Sequence, residues 1–226
     1  MLAALTQGEQ LPWTEQLELV ALCARDVLHS QGVAALHIHF PTSALVVLLQ
    51  TSAGEGEVPV ALVGNDGVVE AGALLGAGHE TNQAVVVHPG FAWRLPTSAV
   101  SAGGPGVAQV VKVAVTHLLS LASQISQTAS CQKHHDIEQR LCRWLLTALD
   151  RLPGHEVAIG LPELAPLLGE STESLMQVAE RLVAQGALVC EPGCLRVPTR
   201  ALLLAHACGC HAPAKGTSHR TLPRRN

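Results

Sequence analysis

Two short stretches of this 226-residue chain gather the side chains that bind metals or attack carbonyl groups. "HACGCH", residues 206–211, brings together His206, Cys208, Cys210 and His211, and thiolates with imidazoles suit zinc or copper(I). Cys208 and Cys210 are separated by a single residue, a tighter bite than the usual Cys-x2-Cys, and no second pair stands at a motif distance. Cys190 and Cys194 would complete a four-sulfur set only by approaching in space. The spacing therefore reads as a close cysteine pair, with those four residues as weak metal candidates and no metal or cofactor expected. "CQKHHD" sets Cys131, His134 and Asp136 side by side, the residue types of a nucleophilic triad. Neighbours this close in one helical segment mostly point apart, and a triad also needs a cleft with an oxyanion donor. His134 and His135 read as a solvated helix start, with Asp136 in the favourable first turn. His79 and Glu80 have no partner motif, and the chain has no Walker loop, dinucleotide fingerprint or His-Glu-x-x-His. No enzyme activity is expected.

A third stretch carries a different chemistry. "GESTESLMQVAERLVAQG", residues 169–186, opens a helix with the hydroxyls of Ser171, Thr172 and Ser174, which together with the free amides of a helix N-terminus can hold phosphate groups. Glu173 can accept a hydrogen bond from cytosine N4, and Gln177 can address adenine. Arg181 and Arg196 are the best sources of positive charge for backbone contacts. Charge is scarce: from Asp150 to His211 the chain has four arginines against seven acids, although phosphate neutralisation ordinarily supplies most non-specific affinity for a duplex.

Other elements must present that helix. Residues 10–21, "QLPWTEQLELVA", have the pattern of a short amphipathic helix. From Val27 to about Pro96, short runs of Val, Leu and Ala are punctuated by Gly, Asn-Asp-Gly and His-Pro-Gly about every ten residues, the spacing of an antiparallel roll. In "LHIHF" the alternation puts Leu36, Ile38 and Phe40 on one face, with His37 and His39 on the other. "SAGGPG", residues 101–106, precedes a helical pattern to about Ala129. Val107, Val110, Val111, Ala114, Leu118, Leu121, Ala122 and Ile125 recur there at spacings of three and four. Such a helix is about 35 Å long. Its leftover apolar surface predicts pairing with a second copy, through Val107, Val111, Ala114, Leu118, Leu121 and Ile125. A second helix over "HHDIEQRLCRWLLTALDRL" follows, then "HEVAIG", two helices either side of Gly169, and a hairpin around Glu191-Pro192-Gly193. Strand, helix, turn, helix and hairpin make a winged helix-turn-helix. The expected fold is α+β: a β-roll with a short N-terminal helix over 1–106, a dimerisation helix over 107–130, a winged domain over 131–211 and a flexible basic tail over 212–226.

Composition bounds the rest. With three Trp, two Phe and no Tyr, the core must be aliphatic, which argues against stacking platforms for bases or sugars. The formal charge of −4 gives little global steering toward nucleic acid. Positive charge concentrates at Lys215, Arg220, Arg224 and Arg225. Seven cysteines without a leader-like start point to a reducing compartment, and no apolar run looks long enough for a membrane span, so a cytoplasmic protein is expected.

"HIHFPTSALVVLL", "VPVALVGNDGVV", "ASCQKHHDIEQRLCRWLL" and the "LPELAPLLG…VAERLVAQGAL" frame together resemble the Crp/Fnr family of bacterial transcription regulators, over nearly the whole chain. The resemblance implies a cyclic-nucleotide-binding-like roll, a dimerisation helix and a DNA-binding winged domain. It implies a homodimer that reads a promoter-proximal palindrome in double-stranded DNA, with RNA polymerase as a further candidate partner. Two departures stand out. The loop that would hold a cyclic phosphate, "LLGAGHETNQAVVV", offers Gly76, Gly78 and Glu80 as a candidate effector pocket but no arginine to pair the phosphate, so cyclic AMP is not expected there. The reading helix opens with Glu170 and Glu173 where such helices usually carry arginine. The reading is a sequence-specific DNA-binding regulator, the alternative a diverged protein whose helix-turn-helix is structural and which acts through protein association.

Overall fold

The computed structural model describes residues 12–52, 56–100 and 107–211. Its N-terminal part corrects the helix expected over 10–21. Pro12–Gln16 form a 3-10 turn, followed by strand β1, Glu18–Leu22. A helix this short is marginal alone. As a strand the same residues gain a partner, pairing with β7, Gly90–Pro96, in the register Glu18↔Arg94 to Leu22↔Gly90.

The other roll strands are β2, Val27–His29, β3, His37–Pro41, β4, Leu45–Ser52, β5, Gly56–Val63, and β6, Gln83–His88. They form two antiparallel sheets, ordered β1-β7-β3 and β2-β6-β4-β5. Leu22, Val46, Val63, Ala84, Val86 and Ala92, drawn from both sheets, share one aliphatic core. The turn into β7 depends on Gly90, because a Cβ there would lie 2.6 Å from the Ala44 nitrogen. β3 is not two-faced as its alternation suggests: Ile38 and Phe40 are buried, and so is His39, while Leu36 is exposed.

Helix α1, Val107–His134, runs along this roll. Val110 and Ala114 are buried in the roll's second core. His117 Nε2 lies 3.0 Å from the Val68 carbonyl oxygen. The Gln124 amide accepts from Leu62 N at 2.8 Å and donates to Leu62 O at 3.1 Å, so it satisfies the outer strand of the four-stranded sheet as another strand would. By length and composition alone α1 is apolar enough to cross a membrane, contrary to the expectation that no run qualifies. Its inner face is committed to the roll.

Asp136 caps helix α2, Ile137–Leu149, by accepting from Gln139 N at 2.9 Å. β8, Glu156–Val157, helix α3, Leu161–Leu167, and helix α4, Thr172–Ala184, follow. Gly169, in the left-handed region at φ 68°, turns the chain between α3 and α4. β9, Val189–Glu191, and β10, Cys194–Arg196, form the hairpin, with β8 on the other side of β10. A further helix, α5, Arg200–His206, packs on α2 through buried Leu203. The sequence pattern does not announce this element, since its signals end at the hairpin. Leu45, Val47, Leu49 and Leu62 of the roll share a core with Leu145, Leu149, Leu164 and Leu182, so the two parts are packed into each other.

Candidate nucleic-acid interface

α4 is oriented by its apolar face. Leu175, Val178, Ala179 and Leu182 are buried, which leaves Glu173, Met176, Gln177, Glu180 and Arg181 exposed on the other side. Ser171 is the N-cap: its Oγ accepts from Ser174 N at 3.1 Å and lies 2.9 Å from Ser174 Oγ. Two of the three hydroxyls expected to hold phosphate therefore already bond to each other, and Thr172 is half-buried. Glu173 and Gln177 are both exposed.

The arginines around α4 are already engaged by other groups. Arg181 Nη2 lies 3.4 Å from Glu138 of α2, and Arg196 Nη2 lies 2.9 Å from Glu191 across the hairpin. Arg140 is ion-paired to Glu170 and donates to Leu168 O at 2.9 Å. Arg143 is buried and donates to Thr128 Oγ1 at 3.1 Å. Arg151 and Arg200 pair with Asp66 and Asp150. Every arginine described from α2 to α5 is thus paired with an acid or buried. The Arg181 and Arg196 side chains are 56% and 47% exposed, and exposed pairs contribute only about 0–1 kcal/mol, so phosphate can displace the carboxylate from either.

The outer face of α1 has a regular pattern. Ala108, Val111, Val115, Leu118, Ala122, Ile125 and Ala129 recur at alternating spacings of three and four, and all are exposed. This is the a/d spacing of coiled-coil helices, sustained over three heptads. Val111, Leu118 and Ile125 of the expected pairing set lie on this face. Ala114 does not: it is fully buried against the roll, and Leu121 packs on the same side. One hydrophobic stripe in the sequence is therefore two faces in the structure. Val107 begins the helix.

In the roll, Gly76 takes the left-handed conformation at φ 80° and ends a 3-10 turn, Ala73–Leu75, so the Gly76–Glu80 loop curls back toward Gly72. A Cβ on Gly72 would lie 3.3 Å from the Glu80 carboxylate. Burial raises the Glu80 pKa, with nearby Glu70 adding to the effect. Glu70 carries no motif that would single it out in the sequence. Its buried carboxylate accepts from His39 N at 2.9 Å and lies 3.0 Å from His29 Nδ1 and 3.1 Å from His39 Nδ1. Burial raises the Glu70 pKa, but the bonds and charges of the two histidines outweigh it and leave the carboxyl below its ordinary value. The roll's two arginines face other acids: Arg94 pairs with Glu18, and Arg25 with Glu163 of α3. Two carboxylates, with His29 and His39 on one of them, thus stand by this loop, and both of the roll's arginines are engaged with other acids.

The weak metal candidates separate. His206 Nδ1 lies 3.0 Å from Glu138, and His211 Nε2 lies 3.0 Å from Asp150, so both rings are engaged by carboxylates. Cys208 and Cys210 instead meet Cys131 and His135. His134 and His135 do not open a helix. His134 ends α1, His135 follows it, and Asp136 caps the next helix. Cys190 is exposed at the hairpin, and all seven cysteines are free. Lys215 and Arg220 to Arg225 lie outside the described residues.

A two-sheet roll, a long helix with an open apolar seam and a winged helix-turn-helix define the class of fold. Solved structures with the same arrangement include a CRP-family transcriptional regulator from Thermus thermophilus. It is 14% identical over 86% of this chain and 100% of its own, with a TM-score of 0.68. FixK2 from Bradyrhizobium japonicum is 13% identical over 85% of this chain and 98% of its own, with a TM-score of 0.67. A CRP/FNR-family regulator, also from Thermus thermophilus, is 19% identical over 84% of this chain and 98% of its own, with a TM-score of 0.63. The chain has the CRP/FNR regulator fold, at identities typical of a diverged sequence. No protein-family model matches it, and no curated protein does.

Proposed function

We propose that the protein is a homodimeric transcription regulator that binds double-stranded DNA through α4 and the β9–β10 wing. The observation that carries this reading is the exposed polar face of α4, held rigid by its buried opposite face and flanked by the hairpin. The apolar seam on α1 supports a two-fold dimer, which presents two such helices to a palindromic site. Glu173 and Gln177 read base edges, and Arg181 and Arg196 leave their carboxylate partners for phosphates. The roll does not respond to cyclic AMP, since its interior opposes an anion. A cytoplasmic location near promoters follows from this role, and no catalytic step is part of it.

Selection of genomic fragments by the purified full chain at low salt, followed by competition with random duplex, tests the reading. Enrichment of a palindromic site is expected. A folded dimer that recovers no site above random duplex would overturn DNA reading and favour protein association, for which the carboxylate-paired arginines would be a suitable neutral surface.

A further inference from the structure

We propose that Cys131, His135, Cys208 and Cys210 form a tetrahedral zinc(II) site that ties the end of α1 to the segment after α5. Their four ligand atoms all lie within 4.8 Å of one another. Cys131 Sγ is 3.5 Å from Cys208 Sγ, and Cys210 Sγ is 3.7 Å from His135 Nδ1. With Zn–S near 2.3 Å and Zn–N near 2.0–2.1 Å, a tetrahedron has S···S edges of about 3.8 Å and S···N edges of about 3.6 Å. The Cys131–Cys208 and Cys210–His135 distances match those edges to within a few tenths of an ångström, and no other pair exceeds 4.8 Å. They also exceed a disulfide bond, which is about 2.05 Å.

The donors come from two short motifs that neither linear spacing nor composition connects. Cys131 lies in the last turn of α1, and His135 follows directly after the helix with its amide donating to the Cys131 carbonyl at 3.0 Å, which continues the turn and keeps both on the same side. Cys208 and Cys210 follow α5, where the His211 amide donates to the Cys208 carbonyl at 3.2 Å and turns the chain. Cys131 and Cys208 are 77 positions apart in sequence, which is why the tight Cys-x-Cys pair looked isolated there. Three sulfurs and one nitrogen suit zinc and exclude magnesium and calcium, which take oxygen ligands. Four protein ligands also close the coordination sphere, as in structural zinc sites.

Charge supports the assignment independently. Three thiolates around a divalent ion leave a net charge of −1, which a buried position must compensate. Arg143 is buried beside the cluster, and its Nε has no hydrogen-bond partner among the described residues. Its guanidinium acts electrostatically on both Cys131 and Cys210. Cys131 and Cys208 are themselves buried, so the ion would sit between α1 and the winged domain and fix one against the other.

The test uses the full chain, purified under reducing conditions, stripped with a chelator and titrated with Co(II) and then Zn(II). One Co(II) per chain is expected, with thiolate charge-transfer bands and the intense visible bands of tetrahedral cobalt, and zinc should displace it. Zinc at a hundredfold excess over its Kd should raise the melting temperature by about 5–10 °C. Cys208→Ser and Cys210→Ser should each weaken binding at least about a hundredfold, whereas Cys23→Ser and Cys190→Ser should not change it. His135→Cys, which keeps four donors, should retain cobalt with a four-sulfur spectrum and guards against variants that merely misfold. Folded wild-type protein without stoichiometric tetrahedral cobalt, or with a Cys131–Cys208 disulfide in its place, would overturn the site. So would undiminished binding by the Cys208→Ser/Cys210→Ser double variant.

Discussion

Replacing Glu191 by Gln should strengthen DNA binding. Glu191 and Arg196 face each other across the wing hairpin at 2.9 Å, their side chains 53% and 47% exposed. In the wild-type protein a phosphate must take Arg196 from this carboxylate, at a cost of about 0–1 kcal/mol per wing. Glu191→Gln removes that competitor together with a negative charge that repels the duplex. Over two wings the gain reaches about 2 kcal/mol, or roughly 30-fold in Kd. Because Arg196 meets a phosphate in both proteins, the slope of log K against log salt should stay close to that of the wild type. Fluorescence anisotropy with a selected duplex between 50 and 200 mM salt reads both quantities. An unchanged or weaker affinity at every salt concentration, in a variant that remains a folded dimer, would show that Glu191 does not compete for Arg196 and would refute the reasoning.

Leu118→Glu places a charge in the middle of the α1 seam and should weaken the dimer at least roughly a hundredfold, which sedimentation equilibrium would detect as monomer. A dimer of wild-type affinity would exclude that seam. Stability should fall on acidification from pH 7 to 5. Burial lowers the pKa of His117 and of His88 below the ordinary 6.5, so both are neutral in the fold and the unfolded chain binds more protons. The contribution is complete above about 6.5 and is lost as the pH falls through that value toward the folded one. Glu70, held below 4.5, adds a second loss at more acidic pH, and melting temperatures across pH 3–8 would show both. Cyclic AMP and cyclic GMP should give no heat by titration calorimetry, and micromolar binding of either would show that the roll neutralises a phosphate in another way.

The α+β architecture was legible because its signals are local: turn residues about every ten positions, a helical stripe, and turns at Gly169 and Gly193 that require a left-handed backbone. Where tertiary contact decides, the sequence was a poorer guide. β1 looked helical because its partner β7 lies some seventy residues away. The stripe on α1 could not be divided into a face for the roll and a face for a partner, since Ala114 and Val115 are equally apolar and only the fold distinguishes them. The exposed residues of α4 were visible, yet Glu138, which occupies Arg181, comes from a different helix. The metal candidates show the same limit: Cys208 and Cys210 do belong to a cluster, and their partners stand at the far end of another element.

The most direct test of DNA reading is a hydroxyl-radical footprint of the dimer on its best selected fragment. The expected result is protection of two half-sites one helical turn, about 34–36 Å, apart, with Arg181→Ala weakening protection of all sequences alike and Glu173→Ala changing which sequence is preferred. Uniform or absent protection, with Glu173→Ala indistinguishable from wild type on every duplex, would contradict it.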